Sequence, residues 1–179
     1  MTLIKEKQNK IFDILKSSQG YKNIMQTPKI DKVIVSAGVG SIKDKYKIKV
    51  IQDRLSKITG QKEAARVAKK SIATFKTRQG DILGYQVTLR GSRMYDFLDR
   101  LIHIAIPRMR DFRGLSTESI DEMGNYTIGI KEHTIFPETG DEELKNVFGL
   151  GVTLVTSAKT KEETEGFLRE LGLPLRENK

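Results

Sequence analysis

The chain has 179 residues, of which 37% are hydrophobic and 31% are charged, as expected for a soluble globular protein that is long enough to bury a core. It has no cysteine, which excludes disulfides and thiolate metal sites, and no apolar run that suits a signal peptide or a membrane span, so we expect a cytoplasmic protein. The net charge is +9, divided into +15 up to Arg110 (24 Lys and Arg against 9 Asp and Glu) and −6 from Asp111 onward (8 against 14).

The first half of the chain predicts two helices and a strand. Residues 3–16 have apolar side chains at helical spacing, namely Ile4, Ile11, Ile14 and Leu15. The β-branched run KVIVSAGVG, residues 32–40, predicts a strand and a turn. A second helix follows and ends at Gly60, and its apolar positions are Ile48, Ile51, Leu55 and Ile58.

The remaining elements continue in the same way. Residues 64–69 and 82–90 predict two strands that pair as a hairpin, and two further strands are predicted over residues 126–131 and 152–157. Ser92 is predicted to cap a third helix, which ends at Pro107. A last helix begins with a capping box formed by Thr160 and Glu163 and ends at Gly172.

Consecutive strands without intervening helices favour an α+β fold rather than a doubly wound one. We expect a mostly antiparallel sheet with helices packed on one face and the other face open for a partner. Residues 1–179 are predicted to form a single domain. On the strand over residues 84–90, the open face would present Gln86, Thr88 and Arg90, which suits polar recognition.

The charge distribution indicates a nucleic-acid-binding protein, because clustered cations are typical of a surface that faces a polyanion. The alternative is a solvated basic surface that serves only solubility. The connection KKSIATFKTRQGD, residues 69–81, carries Lys69, Lys70, Lys76 and Arg78 with no acidic residue before Asp81. A connection of this length is more often functional than idle, and Phe75 within it could anchor the loop or stack on a base.

Enzyme motifs are weak in this sequence. The stretch GVGSIK, from Gly38, follows a strand and precedes a helix, but Lys43 replaces the third glycine of a dinucleotide fingerprint. His103, in a helix, and His133, in a strand, lack the spacing of a metal pair. We therefore predict no catalytic site, cofactor or metal; an RNA-modifying or nucleotide-dependent enzyme remains the alternative, supported only by the GVG turn and the basic surface.

Several blocks of the sequence resemble the large-subunit ribosomal protein L5 family in its bacterial form. They are MQTPKIDKVIVSAGVG, ITGQK, KKSIATFKTRQGDILGYQVTLRG, RMYDFLDRLIHIAIPRMRDFRGLS, GNYTIGIKEHTIFPE and GVTLVTSAKT, in family order from about Met25 to Leu175. The resemblance implies an α+β structural protein of the central protuberance that binds 5S rRNA beside 23S rRNA and neighbouring proteins. It also implies contact with peptidyl-site tRNA and a bridge to a basic protein of the small subunit.

The resemblance assigns roles to individual positions of this chain. The 5S rRNA contacts would be Lys32, Ser36, Gln61, Lys69, Lys70, Thr88 and Arg90. The tRNA contacts would be Phe75, Lys76 and Arg78, near a loop tip made flexible by Gly80. The small-subunit bridge would be Asp141, Glu142 and Glu143, for which an ordinary solvated loop is the alternative. The family usually has asparagine at Ser36, and a serine offers one hydroxyl in place of an amide's separate donor and acceptor.

Overall fold

The structure, a computed structural model, describes residues 3–42, 44–140 and 146–176. Its helices are α1 (Leu3–Gln19), α2 (Lys45–Thr59), α3 (Ser92–Arg100) and α4 (Lys161–Leu171). Its strands are β1 (Ile30–Gly38), β2 (Ala64–Val67), β3 (Ile82–Leu89), β4 (Tyr126–Ile130) and β5 (Leu150–Thr156). The order along the chain, α-β-α-β-β-α-β-β-α, is the one that the sequence predicts.

The five strands form one antiparallel sheet in the order β2-β3-β1-β5-β4, which confirms the α+β prediction. The predicted hairpin is also present, with Ala64 of β2 opposite Gln86 of β3. Burial alternates along the strands: in β4, Tyr126, Ile128 and Ile130 are buried while the residues between them are exposed. Strands β1, β3, β4 and β5 therefore each have an apolar side and an open side, whereas all four residues of β2 are exposed.

The contacts of the chain group into two compact units, and strands β1, β4 and β5 each contribute residues to both. Unit 1 comprises Met1–Val33, Arg90–Ile128 and Thr153–Lys179. Unit 2 comprises Ile34–Leu89 and Gly129–Val152. The single domain over residues 1–179 stays a prediction.

In unit 1, α1 packs on α3 and α4 and buries Ile4, Ile11 and Leu15. Ile14, which the sequence pattern places on the same side, is 48% exposed. At about 100° per residue, Ile14 lies about 80° around the helix from Ile4, whereas Leu15 lies within about 20° of it. The predicted apolar face of α1 was therefore too wide.

In unit 2, α2 packs on β3 and buries Ile51, Leu55 and Ile58. The Asp44 side chain accepts a 2.8 Å hydrogen bond from the backbone N–H of Tyr46 and caps the start of the helix. Gly60 ends it in a left-handed conformation (φ 66°), as predicted, with its N–H donating to the Ser56 carbonyl oxygen.

Gly84 allows β3 to lie close to β1 within unit 2. A Cβ atom at this position would be only 2.7 Å from the carbonyl oxygen of Ala37, and backbone atoms cannot move away as a flexible side chain can. Glycine in the middle of a strand commonly marks such a close approach of two backbones.

Two predicted helix starts need correction. Gly91 (φ 61°, ψ −138°) precedes α3 in a conformation that suits glycine, so Ser92 is the first helical residue and not a cap. At α4, Thr160 Oγ1 accepts from the Glu163 N–H (3.2 Å), as predicted. The Glu163 carboxylate, however, accepts from the N–H of Lys159 and not from that of Thr160, so the capping box is only half formed.

The region after α3 and the segment around His133 also differ from prediction. The third helix does not run unchanged to Pro107: it widens into a π-helical turn, Leu101–Ala105, and then a 3-10 turn, Ile106–Arg108. The proline ring lacks an N–H and would crowd the preceding turn of a regular helix. His133 lies in a short 3-10 helix, His133–Ile135, not in a strand, and its fully buried ring stacks on Phe148.

Candidate nucleic-acid interface

Ser36 lies on the exposed side of β1 in unit 2. Its Oγ donates a 3.3 Å hydrogen bond to the carbonyl oxygen of Gly151 in β5. Because a hydroxyl has one proton, this bond commits the donor, and the oxygen keeps its capacity to accept. Ser36 can therefore face a hydrogen-bond donor of a partner.

Gln61 and Thr88 lie together in unit 2. Gln61 Nε2 donates to the backbone oxygen of Thr88 at 3.3 Å, just beyond the C-terminus of α2. Its Oε1 atom and the Thr88 hydroxyl form no hydrogen bond with the part of the chain that the structure describes. The pair therefore presents an acceptor and a hydroxyl beside each other on a half-buried surface.

Arg66 extends this surface, and it was not among the predicted site residues. Its Nε atom donates to Gln86 Oε1 at 2.6 Å, across the β2–β3 pair. Residues opposite each other in an antiparallel pair share a face, and Arg66 is opposite Gly84, two residues from Gln86. The sequence predicted the hairpin and the alternation of side chains along its strands. It did not predict the register of β2 against β3, which is needed to place Arg66 beside Gln86.

The opposite side of β3 is apolar and buries Tyr85, Val87 and Leu89. Burial raises the pKa of the Tyr85 hydroxyl, and the nearby Glu63 carboxylate raises it further. A tyrosine hydroxyl is neutral at physiological pH even without this increase, so the buried side of β3 adds no charge to the surface.

The predicted cationic residues are accessible. Lys32, in β1, is half-buried, and Arg90, directly after β3, is exposed; both belong to unit 1 by chain position. Lys69 and Lys70 are exposed in unit 2, at the start of the connection between β2 and β3. Within the described ranges, none of these four side chains forms an ion pair. Their charges are thus available to an anionic partner.

The connection between β2 and β3, residues 68–81 and hereafter the basic loop, is a small hairpin of its own. Ile72 and Thr77 exchange two backbone hydrogen bonds of 3.1 and 3.2 Å. Lys76 turns the chain at the tip with a positive φ of 52°. Phe75, beside it, is 72% exposed, and Lys76 and Arg78 are also exposed.

The base of the basic loop is closed by backbone bonds. Ala68 donates to the Asp81 carbonyl oxygen at 2.8 Å, and Gly80 donates to the Ala68 carbonyl oxygen at 3.0 Å. The Asp81 carboxylate also accepts from the Arg78 N–H at 2.7 Å. Gly80 therefore lies at the base of the loop and not at a flexible tip, which corrects the prediction for this residue.

The remaining predictions concern the bridge and a metal. Asp141, Glu142 and Glu143 lie outside the described residues. The described part of the chain contains no cluster of three or more histidine or acidic side chains that could hold a metal ion. None of its helices is both long and apolar enough to cross a bilayer.

Comparison with known proteins gives the class and then the family. The family described as "Ribosomal protein L5" matches residues 23–78, and the family of the ribosomal L5 C-terminus matches residues 82–175. The chain is 46% identical to the large ribosomal subunit protein uL5 of Flavobacterium johnsoniae over 98% of its own length and 97% of the relative's. It is 47% identical to uL5 of Geobacter sulfurreducens over 98% and 99%, respectively.

These matches define a protein of the large ribosomal subunit. The chain belongs to the ribosomal protein L5 family. It is a structural constituent of the ribosome and not an enzyme, so the alternative of an RNA-modifying or nucleotide-dependent enzyme is wrong. Its relatives are ribosomal proteins, which are cytoplasmic, and this confirms the predicted location.

Proposed function

We propose that this protein binds 5S rRNA in the central protuberance of the large subunit, beside 23S rRNA and neighbouring proteins. The residues proposed for the 5S rRNA contact are Lys32, Ser36, Gln61, Lys69, Lys70, Thr88 and Arg90. The observation that carries this proposal is the hydrogen bonding of the open surface in unit 2. Ser36 and Gln61 keep acceptors toward a partner, while the Ser36 hydroxyl proton and one of the two Gln61 amide protons are used within the protein. Acceptors of this kind suit the 2′-hydroxyls and amino groups of RNA, which are donors, and do not suit phosphates.

The cations complement these polar groups. Lysine and arginine without acidic partners supply affinity for phosphates, whereas the neutral groups supply specificity. Together they favour a defined RNA site over a general polyanion surface, and the solubility-only alternative gives no reason for the polar pair.

A gel shift with 5S rRNA tests this proposal. The purified protein should bind without a cofactor, and the logarithm of its affinity should fall linearly with the logarithm of salt concentration, by about 0.7 to 0.9 for each phosphate neutralised. A scrambled RNA duplex of equal length is the control. Equal affinity for that duplex would contradict a specific site, and an affinity independent of salt would contradict the role of the cations.

We further propose that the basic loop contacts peptidyl-site tRNA through Phe75, Lys76 and Arg78, with Gly80 at its base shaping the hairpin. The closed base and the paired strands of the loop support this role, because an ordered hairpin loses little entropy on binding. Exposed cations at and near its tip supply the attraction to a polynucleotide.

For the acidic stretch Asp141, Glu142 and Glu143 we propose a bridge to a basic protein of the small subunit. The support is the net charge of −6 over residues 111–179. A negative charge of this kind would attract a cationic surface in a weak, salt-sensitive contact. Reversing the three charges should loosen subunit association in sedimentation and leave isolated large subunits intact. Loss of 5S rRNA from those subunits would place the stretch elsewhere.

A further inference from the structure

A groove of about 690 Å³ lies beside the basic loop, and all its lining residues belong to unit 2. Its floor is apolar and consists of Ala68, Ile72, Phe75 and Leu83. Three of these are large side chains that remain partly open to solvent: Phe75 is 72% exposed, Ile72 46% and Leu83 37%. Neighbouring exposed apolar side chains of this size are typical of a binding surface.

The rim of the groove is cationic. Lys69 and Lys70 line it and are exposed, and Lys76 follows Phe75 in the chain. Among the residues that the structure describes, no acidic side chain lines the groove and the three lysines form no ion pair. A ligand that matches an apolar floor and a positive rim is apolar in one part and anionic in another.

A nucleotide has these properties, because its base has two apolar faces and its phosphate is anionic. We propose that the groove receives one unstacked base of an RNA, with Phe75 stacked on that base and Lys69 and Lys70 facing the adjoining phosphates. The inference rests on the proposed function, in which the partner is RNA. Single-stranded and bulged nucleotides are commonly held in this way, on an aromatic ring within a positively charged surface.

The loop is already shaped for this role. The paired backbones of Ile72 and Thr77 fix the tip, so Phe75 is held out from the loop without being buried by it. An acidic peptide with one large apolar side chain is the competing occupant. RNA is favoured because the chain belongs to a ribosomal family and because its net charge up to Arg110 is +15.

The absence of tryptophan from the sequence permits a direct test. In a Phe75→Trp variant, the single indole reports stacking by loss of fluorescence. We would titrate it with an RNA hairpin that carries one bulged adenosine and with the same hairpin without the bulge. The bulged RNA should quench the fluorescence and bind roughly 5- to 150-fold more tightly, which is the range expected for one stacked base.

Three variants that keep the sequence free of tryptophan separate the contribution of the Phe75 ring from that of the open groove. The measurement is the affinity of each variant for the two hairpins. Phe75→Ala should abolish the preference for the bulge. Gly40→Leu should also abolish it by filling the groove, since a Cβ at Gly40 lies 3.4 Å from Leu83 Cδ2 and the backbone there is not left-handed. Ile82→Ala is the matched control, because Ile82 is 45% exposed on the same strand as Leu83 but does not line the groove.

A 5S rRNA gel shift with the unmodified chain separates this inference from the function on which it rests. Normal binding of 5S rRNA without any preference for the bulge overturns the groove proposal alone. Failure to bind 5S rRNA overturns the proposed function. If a short acidic peptide containing one phenylalanine quenches the indole of the Phe75→Trp variant and the bulged hairpin does not, the groove is a protein-binding site and the RNA proposal is wrong.

Discussion

Thr88 combines two bonding roles in one residue of β3. Its backbone oxygen accepts from Gln61, and its hydroxyl forms no bond within the described part of the chain. Replacing Thr88 with alanine should therefore weaken binding of 5S rRNA by about 1 to 3 kcal/mol, because a polar group of the RNA would be buried without its partner. Gel shifts and thermal unfolding of the same samples measure the two effects separately.

Thr88→Ser is the matched control for this substitution, since it keeps the hydroxyl and removes only a methyl group. It should retain most of the affinity that alanine loses. If alanine changes neither affinity nor stability, Thr88 serves only as a strand-forming residue on a solvated face, and the polar pair with Gln61 has no part in recognition.

Tyr126 shows how burial makes a single residue sensitive to pH. Its hydroxyl donates to the Ser116 carbonyl oxygen at 3.0 Å, and burial raises its pKa to about 12. In the unfolded chain the Tyr126 hydroxyl loses its proton near its ordinary pKa of about 10. The raised pKa of the folded chain therefore adds stability that is complete below about pH 10 and is lost as the pH rises through about 12.

Tyr126→Phe should lower the free energy of unfolding by about 1 kcal/mol at neutral pH, since one hydrogen bond is lost. It should also make the decline of stability above pH 10 less steep. Urea unfolding at neutral pH and near pH 11 measures both effects, with Tyr46→Phe, at a tyrosine that is 66% exposed, as the control. An equally steep decline in the Tyr126→Phe variant would contradict the assignment to this hydroxyl.

The basic loop can be shortened at a defined point, because Ile72 and Thr77 already pair. Replacing residues 73–76 with Asn-Gly supplies the two-residue turn that such a pair accepts. The variant lacks Phe75 and Lys76 but keeps Lys69 and Lys70. It should bind 5S rRNA normally and retain peptidyl-site tRNA less well on reconstituted ribosomes.

The outcome assigns the tip of the loop to one partner. Normal tRNA retention would remove the tRNA role of Phe75 and Lys76. A folded variant that no longer binds 5S rRNA would mean that the tip belongs to the 5S rRNA site. As a control, Lys22→Gln removes a cation from an exposed position of unit 1 and should change neither measurement.

The periodicity of the sequence was sufficient to predict the four α-helices and five strands of the described residues in their correct order, but not the short 3-10 and π-helical segments. Its failures lie where distant parts of the chain decide the local conformation. The ring of His133 packs on Phe148, fifteen residues away, and this contact suits a short helical turn better than a strand. Gly80 was assigned to a loop tip because the pairing of Ile72 with Thr77, which moves the tip toward Lys76, cannot be read from residue types.

The sequence located part of the candidate site and missed the rest. Alternation along β3 identified Thr88 and its neighbours, since a single strand carries that information. Arg66 and the groove beside Phe75 were not identified, because they depend on the register of β2 against β3 and on the course of the basic loop.

At the scale of the whole molecule, the chain passes between the two units four times, and three of these passages lie inside β1, β4 and β5. Loss of either unit would therefore leave half-strands in the other. We predict that the protein unfolds in a single cooperative transition, as one domain. Far-ultraviolet circular dichroism and tyrosine absorbance should give the same urea midpoint. Two separate midpoints would show that the units unfold independently.

Because unit 1 consists of three separate chain segments, its helices are translated at different times. Helix α1 packs on α4, but α4 is translated roughly 140 residues later. At about 5 to 20 residues per second, the apolar side of α1, which carries Ile4, Ile11 and Leu15, waits about 7 to 30 s for the α4 part of its packing. Until then the part of α1 that packs on α4 stays exposed, and we expect it to be a binding site for a chaperone at the tunnel exit.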